Sequence, residues 1–307
     1  MRSTEPSRIE SKTMNEPDDR VPLRWYEPAA GVGKVPGPTL LWLHGGGFFR
    51  GSLDQPEAHD VAGALARQGL AVATAGYRLA PPPGLGWVKS RTGRARGRFP
   101  LPLDDVLTAY REVSARSPEG VILGGASAGA CLAAAATLRA VDEGLRPTGA
   151  VFVYGFFHSE HPRARDPRQR SRRHRRITHA PWALDVMNRN YAGSKGPLTD
   201  RLAFPGGHEL GHFPRTLVVN AEHDNMRASG DLFAAELGAA GTDLEHHVLP
   251  GTRHAFLNRP TLDEFATTIS MIRAWSHDSL GARALPLPLS RTDRTTTRPV
   301  IYRLLGH

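Results

Sequence analysis

Cysteine is nearly absent from this chain of 307 residues. Cys131 is the only one, which excludes an internal disulfide and fits a reducing compartment, so a cytoplasmic location is expected. The first twenty residues lack an apolar core, so no secretory leader is expected there. No apolar run exceeds strand length, which speaks against a membrane-spanning helix. No internal repeat is visible. Aromatic residues do not alternate with the arginines, as they would in a platform for stacked bases. That absence matters because the formal net charge is +9. Segments 82–98, 158–179 and 281–307 together carry +15, leaving −6 for everything else. The basicity therefore belongs to irregular segments, read as solvated loops, and no nucleic-acid partner is expected.

What is present is an ordinary soluble core, with 40% hydrophobic residues. Short apolar runs read as strands: "TLLWLH" (39–44), "LAVATAGY" (70–77), "GVILGGA" (120–126), "GAVFVYGF" (149–156), "PRTLVVNAE" (214–222) and "LEHHVLPG" (244–251). Between and after them lie segments with helical spacing at 57–69, 103–116, 128–144, 228–241 and 261–276. Strands alternating with helices imply an α/β fold with a mostly parallel, doubly wound sheet. One domain is expected over 21–280, preceded by a loosely attached arm (1–20) and followed by a poorly ordered extension (281–307). Segments 82–98 and 158–190 read as insertions, the second standing where a cap would sit.

Residues 125–129, Gly125-Ala126-Ser127-Ala128-Gly129, form a G-x-S-x-G. A chain of this composition holds such a match by chance about one time in six, so the pentapeptide alone is weak. Its context strengthens it: Ser127 stands where a strand passes directly into a helix, the setting of a strained turn that exposes a serine hydroxyl. Side chains at 125 or 129 would collide with the neighbouring strand and helix. Ala128 opens the helix, so its N–H lacks an intrahelical partner.

Three further features fit acyl transfer. "HGGGFFRG" (44–51) follows a strand, and glycines there let backbone N–H groups approach an oxyanion. A phosphate loop would instead need Gly-Lys-Ser/Thr before a helix, which is missing. Asp224 lies just beyond the fifth strand, with Glu222 and Asp231 as competitors. His254 follows the sixth, and His246, His247, His208 and His212 are less well placed. Ser127, Asp224 and His254 thus occur in the order nucleophile, acid, base, each after a strand. No metal-ligand pattern accompanies them, and neither metal nor cofactor is expected. Cys131 reads as a packing residue.

With "HGGG" (44–47), "YRLAP" (77–81), "FPLPLDDV" (99–106), "GGASAG" (124–129), "AEHDNMRASG" (221–230) and "GTRHAF" (251–256), the chain resembles the hormone-sensitive-lipase-like esterases of the α/β-hydrolase fold. The matches span about two thirds of the sequence. The resemblance implies a serine carboxylesterase for small or medium acyl esters. Ser127 would be its nucleophile, His254 its base and Asp224 the acid that orients the imidazole. Gly46, Gly47 and Ala128 would form the oxyanion hole, supported by His44, Gly45, Gly125 and Gly129. Tyr77, Arg78 and Asp105 would be scaffolding. The partner implied is a small-molecule ester, and a homodimer is left open. Amide, carbamate or lactone hydrolysis would use the same residues. A non-catalytic ligand receptor on the same fold is the alternative, although such proteins typically lose a triad member. The chain departs from the family at Ala126, where Asp is commoner, in residues 82–98 between "YRLAP" and "FP", and in the Arg-rich stretch 161–176.

Overall fold

Alternate residues of the strand Thr39–Leu43 face opposite sides of a sheet, and both sides are buried. Leu41 and Leu43 enter one apolar cluster, Leu40 and Trp42 the other. A strand covered on both faces reads as an unbroken apolar run, which is why "TLLWL" shows no polar alternation. The computed structural model describes residues 9–11, 21–28, 37–84, 95–164, 166–171 and 179–278.

Among these, the strands are β1 (Ile9–Ser11), β2 (Leu23–Tyr26), β3 (Thr39–Leu43), β4 (Val72–Ala75), β5 (Val121–Ala126), β6 (Gly149–Val153), β7 (Thr216–His223) and β8 (Leu244–Arg253). The helices are α1 (Pro56–Arg67), α2 (Leu101–Arg116), α3 (Ala128–Asp142), α4 (Pro181–Ala192), α5 (Arg227–Ala239) and α6 (Asp263–Asp278). The sheet order is β1-β2-β4-β3-β5-β6-β7-β8. From β4 through β8 the pairing is parallel, whereas β1 and β2 run antiparallel at one edge. Helices α2, α3 and α5 cover one face and α1 and α6 the other. Val61 and Leu65 of α1 and Phe265, Ile269 and Ile272 of α6 are buried there. Each such side chain contributes roughly 1.5–3 kcal/mol by leaving water.

The doubly wound sheet expected from the alternating pattern is present. The edge differs from expectation. Strand β2 has no counterpart among the expected strands, and Ile9–Ser11 of the expected arm pairs with it through Ile9↔Tyr26. Residues 1–8 and 12–20 of that arm, and the extension 281–307, lie outside the described residues. So do 85–94 and 172–178 of the two insertions.

The described ends of the insertions are anchored. Arg96 donates to the carbonyls of Phe49 (2.9 Å) and Ala80 (2.7 Å), and Arg98 to that of Asn190 (2.9 Å). These two arginines are not solvated charges, as the basic run suggested. Helix α4 starts within segment 158–190 and runs two residues past it, and its Tyr191 stacks on Phe48 of the glycine loop, with ring centroids 3.9 Å apart. No described helix is long and apolar enough to cross a membrane.

Candidate active site

The site forms where β3, β5, β7 and β8 end. Ser127 joins β5 to α3 with φ 54° and ψ −120°, a left-handed backbone that an L-residue holds only under strain. Glycine is obligatory on both sides of it. A Cβ on Gly125 would lie 2.5 Å from the carbonyl oxygen of Gly129 and 2.8 Å from that of Leu43. One on Gly129 would run into the carbonyls of Leu43 and His44. The turn therefore packs backbone against backbone and lifts the serine side chain clear.

Three side chains from distant segments meet there. His254 Nε2 lies 2.9 Å from Ser127 Oγ, and His254 Nδ1 lies 2.6 Å from Asp224 Oδ2. All three residues are buried. An ionised carboxylate only accepts, so Nδ1 carries the proton and Nε2 presents its lone pair to the serine hydroxyl. The second oxygen of Asp224, Oδ1, accepts the N–H of Met226 at 3.0 Å. Burial alone would push the Asp224 carboxyl up. Electrostatic attraction and a hydrogen bond from the His254 ring, with help from His179 and the Met226 N–H, reverse this and hold it below its ordinary value.

The glycine loop enters the same cavity. Gly46 (φ 128°) and Gly47 (φ 61°) line it beside Ser127 and His254. Ala128 is the first residue of α3, so its N–H has no carbonyl one turn back. Among the described residues, the N–H groups of Gly46 and Gly47 donate to no protein acceptor. His44 is buried beneath the loop, with Nδ1 donating to the Gly45 carbonyl at 2.8 Å. Tyr77 stacks on its ring and donates its hydroxyl to the His44 carbonyl at 2.6 Å. Burial lowers the His44 pKa to about 4, so this imidazole is neutral. Arg78 clasps Asp105 through Nε and Nη2 at 2.8–3.1 Å. Cys131 is buried, which pushes its thiol pKa up, and its Sγ lies 3.6 Å from the Ala203 carbonyl.

The competing residues are engaged elsewhere. Glu222 accepts the Gly251 N–H at 2.7 Å, and Asp231 accepts from Asn220 and Arg227. His246 contacts Asp231, His247 contacts Glu245, and His212 lines a separate surface depression. Several residues around the site carried no sequence signal. Tyr154 (φ 39°) and His179 both set ring edges against His254, with centroids 5.0 and 4.8 Å away. Met226 Sδ lies 4.0 Å from Ser127 Oγ. Met187 of α4, with Glu57 and Asn258, completes the lining.

A sequence model of the family described as alpha/beta hydrolase fold matches residues 40–258. The chain belongs to this family. An ethyl acetate hydrolase of Pseudomonas putida is 28% identical to this α/β-hydrolase over 277 residues, covering 86% of this chain and 80% of that protein. An esterase of Pyrobaculum calidifontis superposes with a TM-score of 0.74 at 26% identity, covering 91% of this chain and 87% of the other. A hormone-sensitive lipase from a metagenome library gives 0.70 at 25% identity, covering 88% and 86%. The motif-based resemblance therefore agrees with both sequence and fold comparisons.

Proposed function

We propose that this α/β-hydrolase is a serine carboxylesterase that cleaves small or medium acyl esters through an acyl-enzyme. The observation that carries the reading is the buried chain from Ser127 Oγ through His254 to Asp224, opening into a cavity walled by Gly46 and Gly47. Ser127 Oγ attacks the ester carbonyl carbon as its proton passes to His254 Nε2. The carbonyl oxygen gains the charge, and the N–H groups of Gly46, Gly47 and Ala128 receive it. Each such donor contributes on the order of 3–4 kcal/mol to the transition state. The C–O bond to the leaving group then breaks, and His254 returns the proton to the departing alcohol. Water repeats the sequence on the acyl-enzyme and releases the acid. Asp224 holds the imidazole in the required tautomer and balances its transient charge.

The cavity holds about 440 Å³. That is near the low end of the range of roughly 300–1,000 Å³ for small-molecule sites. The name of the Pseudomonas putida relative, an ethyl acetate hydrolase, points to small esters too. The test is labelling with a fluorophosphonate, using Ser127→Ala and heat-denatured protein as controls, followed by an ester panel of increasing acyl length. Stoichiometric label on the folded wild type alone, with turnover highest on short chains, is expected. A folded wild type that takes no label would favour the ligand-receptor alternative.

A further inference from the structure

Glu57 is an acid in the first turn of α1, where an exposed carboxylate would be ordinary, yet it is only 1% exposed. A carboxylate offers about four acceptor positions. Here each oxygen of Glu57 receives two donors. Oε2 takes the Gly45 N–H at 2.6 Å and Gln55 Nε2 at 3.3 Å. Oε1 takes the Tyr154 hydroxyl at 2.7 Å and Asn258 Nδ2 at 3.2 Å. Asn258 Oδ1 in turn accepts the Glu57 N–H at 3.3 Å, and Trp42 Nε1 donates to the Glu57 carbonyl at 2.7 Å. Among the described residues no cation pairs with this carboxylate. A buried anion held by neutral donors is a poor way to gain stability, so its position calls for another explanation.

The donors belong to the parts that must act together. Gly45 begins the glycine loop. Its N–H is held by Glu57 and its carbonyl by His44, which fixes the plane of the peptides leading to Gly46 and Gly47. A Cβ built on Gly45 would fall 2.6 Å from Glu57 Oε2 and 3.0 Å from Ser127 Cβ, so carboxylate, loop and serine pack with no spare space. Tyr154 sets its ring edge on His254 and on Phe256. Asn258 ends the short 3₁₀ turn Phe256–Asn258 that follows His254.

We propose that Glu57 is a positioning residue that locks the oxyanion loop and the histidine loop to one carboxylate, so that the two are aligned on the same tetrahedral intermediate. This rests on the esterase reading above. Loss of the lock leaves ester binding in place and weakens stabilisation of the developing oxyanion, because donors to a transition state must be held within about half an ångström.

Glu57→Gln keeps the shape but turns acceptor positions into donors, setting N–H against N–H at Gly45 or Asn258. Tyr154→Phe removes one hydroxyl and serves if the first variant fails to fold. Two quantities are measured on a short-chain p-nitrophenyl ester and a trifluoromethyl ketone, per fluorophosphonate-titrated serine. The ketone accepts the Ser127 oxygen at its carbonyl carbon and leaves its own oxygen as an anion in the glycine loop, with the serine proton on His254.

Glu57→Gln is expected to lower kcat about 10- to 100-fold with KM within about threefold. The ketone inhibition constant should rise by the same factor as kcat/KM falls. Tyr154→Phe should show the same pattern at about 3- to 10-fold. A kcat/KM within about twofold of wild type, or a loss confined to KM with ketone affinity unchanged, would overturn the proposal. A wild type that takes no label overturns the esterase reading instead, and that control separates the two failures.

Discussion

The guanidinium of Arg96 reaches the carbonyl oxygen of Phe49, so a residue from the basic insertion braces the loop that walls the active site. The same group also binds the Ala80 carbonyl, and Phe48, just before Phe49, stacks on Tyr191 of α4. Arg96 and helix α4 therefore converge on one loop from outside, while His44 and Glu57 hold it from beneath.

Replacing Arg96 by Ala should loosen that loop. Hydrogen bonds from a charged donor contribute about 1.5–3 kcal/mol each, part of which is already offset by water at this half-buried position. The expected result is a kcat/KM loss of about tenfold, with the melting temperature falling by a few degrees. Steady-state kinetics and thermal denaturation on the same sample check it. Both bonds come from Nη1 alone, so Arg96→Lys, whose ammonium carries three donors, should recover part of the loss.

Asp224→Asn should leave the fold intact and lower kcat on the order of 10⁴-fold. An amide in place of the carboxylate can hold the imidazole in the wrong tautomer, with the proton on Nε2 facing the serine. Turnover of a short-chain ester measures it. Activity within tenfold of wild type would remove Asp224 from the triad and return attention to Glu222.

The buried His44 predicts a pH-dependent stability. Its imidazole pKa is about 4 in the folded protein, against an ordinary value near 6.5. Between these values the unfolded chain binds a proton that the folded one does not, so stability rises with pH across that window. As pH falls from 6.5 to about 4, this group should remove on the order of 3 kcal/mol, and little more below that. Urea unfolding of wild type and His44→Gln at pH 7.5 and 4.5 tests the sign. The wild type should lose more stability between the two pH values than the variant does.

Gly129→Ala should cost about 1–3 kcal/mol, because a new methyl meets the carbonyls of Leu43 and His44 rather than movable side chains. Denaturant unfolding gives the number. Activity should fall further than stability, since the backbone that yields is the one carrying Ser127.

That Ser127, Asp224 and His254 meet was legible in the sequence because each directly follows a strand, and strand ends can be read from short apolar runs. Ser127 is marked by the glycines its turn requires, and the loop at 44–47 by its own. The choice of Asp224 over Glu222 was closer. In space Glu222 turns toward the Gly251 N–H, while Asp224, one residue past β7, meets His254. Glu57, Tyr154 and Asn258 could not be found this way. Their contacts join residues 97 and 201 positions apart, and no local pattern marks a first-turn glutamate as an inward one. Strand β2, only "LRWY", is too short to show a period. Helix α4 was hidden by the arginine run before it, although "PWALDVMNRNYA" opens with proline and ends at Gly193 in the left-handed region.

Five described non-glycine residues hold a positive φ, and four ring the proposed site: Ser127 and Ala255 line its cavity, Tyr154 packs on His254, and Phe48 stands between the lining residues Gly47 and Phe49. Each costs roughly 1–2 kcal/mol relative to a relaxed backbone. Selection for heat resistance and selection for turnover therefore act on the same few positions in opposite directions. Ala255→Gly would relieve one of these residues and raise the melting point, yet it would free the hinge directly behind His254. A directed-evolution campaign on this enzyme should find its stabilising substitutions in the antiparallel edge and the outer helices, and its faster variants should be the ones that leave the strained ring untouched.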